Sequence, residues 1–216
     1  MLPVAHGFHT RVPLTNIFLK PCRKSASINN TVKMVSLYNA SVPMMLKYLG
    51  NLKVILTKAE QYCVSKNLNP EEMIKFRLIE DMRSLDYQVQ SISNTAKFLA
   101  TRLALHRDTY FPDTETTFPQ LQSRVDATIS ILSEIDPSSM DGKEDGEVLM
   151  ETKSFGTYRF TGYSYVVQYA CPNFHFHLGS AYCILRHLGV PLTAFDYLDT
   201  QHDLFVKIET PATPAS

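Results

Sequence analysis

The apolar positions fall into a few regular stripes. Met45, Leu49, Leu52, Leu56 and Cys63 recur at helical spacing and predict a first helix from about Ser41 to Lys66. Ser41 is placed to cap it, Pro43 sits in its first turn, where a missing N–H costs little, and Asn67 and Pro70 mark its end. Asn69-Pro70-Glu71-Glu72 combines a cap, a proline at the first helical position and acids in the first turn, and opens a short helix to about Arg77. After a connection over Leu78–Met82, a long helix is predicted from about Ser84 to Ala104. There Leu85, Val89, Ile92, Ala96, Leu99 and Leu103 stay within about 40° of one line along the helix. His106 to Thr116 reads as a polar loop. Thr117 and Pro119 then open a helix with Phe118, Leu121, Val125, Leu132 and Ile135 on its apolar face, closed by Asp136-Pro137.

Beyond the glycine-bearing charged loop at 138–146 the pattern changes. Glu147–Lys153 and Thr157–Thr161 predict two short strands that turn at Phe155-Gly156. Thr161 or Gly162 begins the last helix, which reaches about Leu188 and is stopped by Gly189 and Pro191. Pro172 is expected to kink it, because proline removes one backbone bond and crowds the preceding turn. Its inner face counts as Val166, Ala170, Phe174, Ala181, Ile184 and Leu188. Four amphipathic helices with one stripe each must bury those stripes together. The expected fold class is therefore mainly α: a four-helix bundle with a small β-hairpin before the last helix.

Composition changes this picture mainly at the ends. Residues 1–33 carry Arg11, Lys20, Arg23, Lys24 and Lys33 with no acid, and Pro3, Pro13 and Pro21 interrupt any long helix. They form a basic extension, read as a targeting segment, as disordered chain, or as sequence ahead of a working start at Met34. The folded domain runs from 34 to 198, and 199–216 is a tail whose end, TPATPAS, is too poor in apolar residues to pack. With 21 basic and 21 acidic side chains the net charge is zero, which argues against a nucleic-acid partner. No apolar run reaches the ~20 residues that span a bilayer, so no membrane partner is expected. Cys22, Cys63, Cys171 and Cys183 are dispersed without a CxxC pair, and are read as reduced thiols of a cytoplasmic protein, or a mitochondrial one if the basic segment is a targeting peptide.

Candidate chemistry concentrates on the last helix. His177 lies at the centre of its inner face, with Asn173 one turn earlier on the same side. Gln88 borders the facing stripe of the long second helix, and Asp81 precedes that helix and could turn inward. Buried polar groups need partners, so these four are expected either to line a polar pocket at one end of the bundle or to form a packing network in its core. His175 and His177 form an HxH pair, but on a helix their side chains diverge by about 200° and cannot share an ion. Cys171 and Cys183 have no base beside them, and no nucleophile elbow, phosphate loop or dinucleotide fingerprint occurs. Asp113-Thr114-Glu115 and Glu144-Asp145 read as loop surface.

The segments SLYNASVPMML, RLIEDMRSLDYQVQ, DTETTFPQLQSRV, FTGYSYV and PNFHFHLGSAYCILRHLGVPLTAFDYL follow one another between Met34 and Leu198. In these the chain resembles the uncharacterised family called domain of unknown function nineteen-ninety-three, a branch of the DinB-like superfamily. The resemblance implies a DinB-like four-helix bundle, often a homodimer. Many members of that superfamily hold a divalent metal with three histidines, one on the second long helix and two at i, i+4 on the last. Some are thiol-dependent transferases or isomerases. Here Gln88 and Gln90 stand where the first histidine is wanted, and Asn173 and His177 where the other two would be. One imidazole with amides is a poor donor set for zinc or nickel.

Three functions compete on these residues. The first is binding of an unidentified small molecule, with His177 as general acid or base and Asp81, Gln88 and Asn173 contacting the ligand, in a transferase or isomerase that needs no metal or other cofactor. The second is a non-catalytic homodimer or scaffold. The third is a divalent-metal protein with an unusual set such as Asp81, His177 and water.

Overall fold

The computed structural model describes residues 35–152 and 156–205. The basic extension and the TPATPAS end lie outside these residues. Helix α1 (Leu37–Lys66) begins four residues before the predicted start, because Ser36, not Ser41, caps it by accepting from the Asn39 N–H at 3.2 Å. Ser41 is instead buried inside the helix with its hydroxyl on the Leu37 carbonyl, and Pro43 is an interior residue. The early start extends the apolar face to Leu37. Asn67 ends α1 in the left-handed region at φ 52°, and the Leu68 N–H returns to the Cys63 carbonyl, the closure expected of a helix C-terminus. Asn69 caps α2 (Pro70–Lys75) as its sequence requires.

Helix α3 (Leu85–Leu103) follows, and then α4 (Phe118–Ser133), opened by a reciprocal capping box between Thr117 and Gln120. A 3-10 turn at Pro137–Met140 leads to β1 (Glu147–Thr152), which pairs antiparallel with β2 (Gly156–Thr161) in a register that sets Val148 against Phe160. Val148 and Met150 point inward, so the hairpin closes one end of the core. Gly162 begins the last helix under the Lys143 carbonyl; a Cβ there would stand 2.0 Å from that oxygen, so no larger residue fits without moving the loop.

The last helix runs without a break through α5 (Gly162–Ser164), a π-helical segment (Tyr165–Ala170) and α6 (Cys171–His187). The irregularity expected at Pro172 takes the form of this π segment just before it, where the Cys171 N–H bonds the Val166 carbonyl five residues back. Helices α1 and α3 each pack against both α4 and α6, which makes a four-helix ring around one core. The predicted stripes are the buried ones, from Met45 to Cys63 on α1, Leu85 to Leu103 on α3 and Phe118 to Ile135 on α4 and just beyond it. Leu188 is only half-buried. No helix among the described residues is long and apolar enough to cross a membrane.

A short helix, α7 (Ala194–Leu198), was not legible in the sequence. It has a Thr193–Asp196 capping box and lies against α1, where Asn51 donates to the Tyr197 carbonyl at 2.8 Å and Lys58 pairs with Asp196. The chain continues to hold α1 past Leu198. Asp199 is fully buried, pairs with Lys47 at 3.3 Å and accepts from the N–H groups of Asp203, Leu204 and Phe205. Against the opposing effect of burial, Asp203 and the backbone N–H groups of Leu204 and Phe205 hold its carboxyl far below the usual carboxylate range.

Candidate functional site

Three polar pairs join α3 to the last helix. Gln88 meets His177, with Oε1 and Nδ1 2.8 Å apart. Asn173 donates to the Thr95 hydroxyl at 2.8 Å, and Arg102 donates through Nη1 to the Tyr165 hydroxyl at 2.8 Å. The α3 members, 88, 95 and 102, are seven residues apart, two turns or about 10 Å of rise each, so they recur on one side of the helix. Their partners descend from 177 to 165, which fixes the two helices as antiparallel.

Between these helices lies a cleft of about 700 Å³. Asn173, His177, Thr95 and Arg102 line it, together with Tyr87, Phe98, Tyr165 and Tyr169. The structure thus brings together three of the four expected residues. Asn173 and His177 are on the wall. Gln88 stands behind His177 and does not line the cleft. Asp81 does not line it: it is exposed in the turn between α2 and α3. The residues that sequence reasoning missed are Thr95, Arg102 and the tyrosines. The seven-residue spacing of Gln88, Thr95 and Arg102 is the signal that could have found them.

The direction of the Gln88–His177 bond can be deduced. The Gln88 amide nitrogen donates to the Arg83 carbonyl at 3.0 Å. Flipping the amide would set two acceptor oxygens against each other, so Oε1 must face His177. Oε1 can only accept, hence Nδ1 carries the proton. In the neutral ring Nε2 is then a bare lone pair, and it makes no hydrogen bond among the described residues. Burial pushes the His177 pKa below its ordinary 6.5, which keeps the ring neutral. His175 goes elsewhere. Its Nδ1 lies 3.1 Å from the Tyr197 hydroxyl and its ring meets Tyr48 edge-on, so the HxH pair diverges as helical geometry requires.

One wall of the cleft is held by a charge cluster. The Arg124 side chain is 1% exposed and pairs with Asp113 at 2.7 Å and with Glu115 at 2.8 Å, while Gln90 donates to the other Glu115 oxygen. Burial acts against ionisation of Glu115, but the bonds from Arg124 and Gln90 outweigh it and hold the carboxyl below its usual range. Asp113 and Glu115 thus pin the 105–117 loop to α3 and α4 and are not free for acid–base work.

No three His, Cys, Asp or Glu side chains among the described residues converge on a point where a metal could sit. At the place where the resemblance implies three histidines, Gln88 Oε1 is taken by the His177 N–H, and Asn173, whose amide nitrogen donates to Thr95, offers only an amide oxygen. This donor set does not fit zinc or nickel.

The family described as Domain of unknown function (DUF1993) matches residues 37–198. The fold is similar to the crystal structure of a DinB family member protein from Shewanella denitrificans, with a TM-score of 0.70 and 29% sequence identity, over 81% of this chain and 96% of that one. No curated protein matches the sequence.

Proposed function

Because the chain belongs to the DUF1993 family, a DinB-like family that brings no known reaction with it, we propose a function from the cleft alone: it binds a small organic molecule on which His177 acts as a general base through Nε2. The observation that carries this reading is the fixed tautomer. A histidine that serves only packing has no need of a bare, unpartnered ring nitrogen on the wall of a cleft. Gln88 holds the tautomer by accepting from Nδ1, the role an orienting group plays behind a catalytic imidazole. Asn173 and Tyr87 flank the ligand. A neutral ring with a depressed pKa is ready to take a proton near neutrality, as a transferase or isomerase working without a metal would require. The test is a fragment screen by NMR that follows the His177 ring resonances. Ligands that shift them are expected to lose at least about tenfold in affinity in His177→Ala. Unchanged binding and turnover in that variant would sink the proposal.

A second reading, a non-catalytic homodimer, is favoured by one observation: Tyr163 and Val167, one turn apart on the last helix, are both exposed apolar side chains. It predicts that His177→Leu folds well and that the protein sediments as a dimer that Val167→Ser dissociates. A monomer in sedimentation would exclude it.

A further inference from the structure

One charge in the cleft has no counter-charge. Arg102 is half-buried in the last turn of α3. Its Nη1 donates to Tyr165, and its guanidinium lies 4.6 Å from the Phe98 ring centre and 5.5 Å from that of Tyr165. It makes no ion pair among the described residues. Tyr165 does not neutralise it, because burial raises the phenol's pKa more than Arg102 lowers it, and the hydroxyl stays protonated. The cleft's one carboxylate, Asp113, is held by Arg124 at 2.7 Å, a guanidinium that it shares with Glu115 and that is not available to a ligand. His177 is neutral. The remaining polar groups, Asn94, Thr95 and Asn173 among them, are uncharged. Arg102 is therefore the one cation among the described residues lining the cleft, free of any ion pair there, braced by a hydroxyl and two rings and with N–H donors left over.

We infer that the ligand of this cleft is a small organic carboxylate, its acid group on Arg102 and its body lying along Phe98 and Tyr169 towards Asn173 and His177. The inference rests on the cleft being the small-molecule site proposed above. A guanidinium edge matches a planar carboxylate with two parallel hydrogen bonds. The charge count selects the class. One guanidinium balances a monoanion, whereas a phosphate monoester near −2 would need a second cation that the described cleft residues do not supply. Aromatic side chains on the wall suit a ligand with an apolar body. Arg102 is thus assigned as the residue that sets substrate class and polarity of binding.

The test is calorimetric titration of the full chain near neutral pH with 3-phenylpropanoate, the isosteric 3-phenylpropanamide and 2-phenylethyl phosphate, with His177 resonances followed in parallel. The carboxylate is expected to bind at least about tenfold more tightly than the amide and than the phosphate. Arg102→Gln should bring the carboxylate to the level of the amide while the amide changes by less than about twofold. Should Arg102→Gln not fold, the wild-type comparison stands by itself, and Tyr165→Phe, which keeps the charge but removes its brace, should weaken the carboxylate alone. Equal binding of carboxylate and amide, with both shifting His177, would overturn the carboxylate assignment and leave the cleft a small-molecule site. Tighter binding of the phosphate would overturn it in favour of a dianion. No binding of any probe and no shift of His177 would overturn both the assignment and the reading of the cleft.

Discussion

Gln88 accepts a hydrogen bond from His177 Nδ1 at 2.8 Å while its own amide nitrogen is committed to the Arg83 carbonyl at 3.0 Å, so a single glutamine dictates which nitrogen of the histidine is basic. Nitrogen-edited NMR of the ring should therefore find the Nδ1–H tautomer and a pKa below 6.5. In Gln88→Glu the new carboxylate would face the Nδ1–H and favour the cation, and the His177 pKa should rise by about 1 unit or more. A ring with the proton on Nε2, or a pKa unmoved by Gln88→Glu, would show that the bond does not control the histidine.

The same depressed pKa gives stability a pH dependence with a definite sign. Burial lowers the pKa of both His175 and His177 below 6.5, so between the folded value and 6.5 the unfolded chain binds more protons than the native one. Stability then rises with pH across that window, is fully present above 6.5 and is lost as acid protonates rings that the fold keeps neutral. Urea unfolding at a series of pH values should reveal this loss on the acid side. His177→Gln should flatten the slope in part, leaving the share of His175. A stability that increased towards acid through the same window would contradict the assignment.

The middle rung, Asn173 to Thr95, is a neutral pair between packed helices, and Thr95 is buried. Thr95→Val keeps the shape and strands the amide, at a cost of about 1–2 kcal/mol. With Asn173→Ala added, a double-mutant cycle should give a coupling of about 1 kcal/mol. Additive effects of the two substitutions would mean that the bond contributes nothing to the fold.

Most of the bundle could be read in the sequence because burial imposes a period that the side chains must obey: every apolar position assigned to α1, α3 and α4 is buried. Local chemistry misled where it imitated a signal. Ser41-Val-Pro43 has the form of a cap and a first-turn proline, yet Ser36 caps α1, because extending the helix buries Leu37. Helix α7 carries a local start signal in Thr193 and Asp196, but at five residues it is too short to show a period, and it is held in place by Asn51 and Lys58 on α1. At the site, His177, Asn173 and Gln88 stood out as polar residues on apolar faces, and the two on the last helix line the cleft. Asp81 is exposed and does not line the cleft, and nothing local in a sequence says which way a turn points its side chains. Tyr165 was missed because the inner face was counted at α-helical spacing, and the π segment Tyr165–Ala170 changes the number of residues per turn there.

Arg124 holds the wall of the cleft through charge, and its removal should be severe. Its side chain is 1% exposed, and Glu115, at 11%, would be left partly buried without its cation. Arg124→Met is expected to cost about 3 kcal/mol, the low end for a broken buried pair, because Asp113 can return to solvent. Denaturant unfolding would measure the loss, and protease nicking within the 105–117 loop would place it. A variant as stable as the parent, with the loop still protected, would show that the cluster is not what pins the loop.

Gly162 is required by contact and not by backbone angle. Its N–H bonds the Gly146 carbonyl at 2.9 Å, and an added Cβ would lie 2.0 Å from the Lys143 carbonyl oxygen and 3.2 Å from the Leu37 side chain. The first of these neighbours is backbone and can yield only if the 138–146 loop shifts, and Lys143 also donates from Nζ to the Leu103 carbonyl at 2.6 Å, so a shift would strain the end of α3 as well. Gly162→Ala is expected to lose about 2–3 kcal/mol, at the upper part of the range for overpacking. Gly50, on the surface of α1 with nothing within 4 Å of its added Cβ, is the control. There alanine should raise stability by about 0.5–1 kcal/mol through helix propensity. Thermal unfolding of the two variants should therefore move in opposite directions, and a Gly162→Ala protein that matched Gly50→Ala would show that the loop adapts without cost.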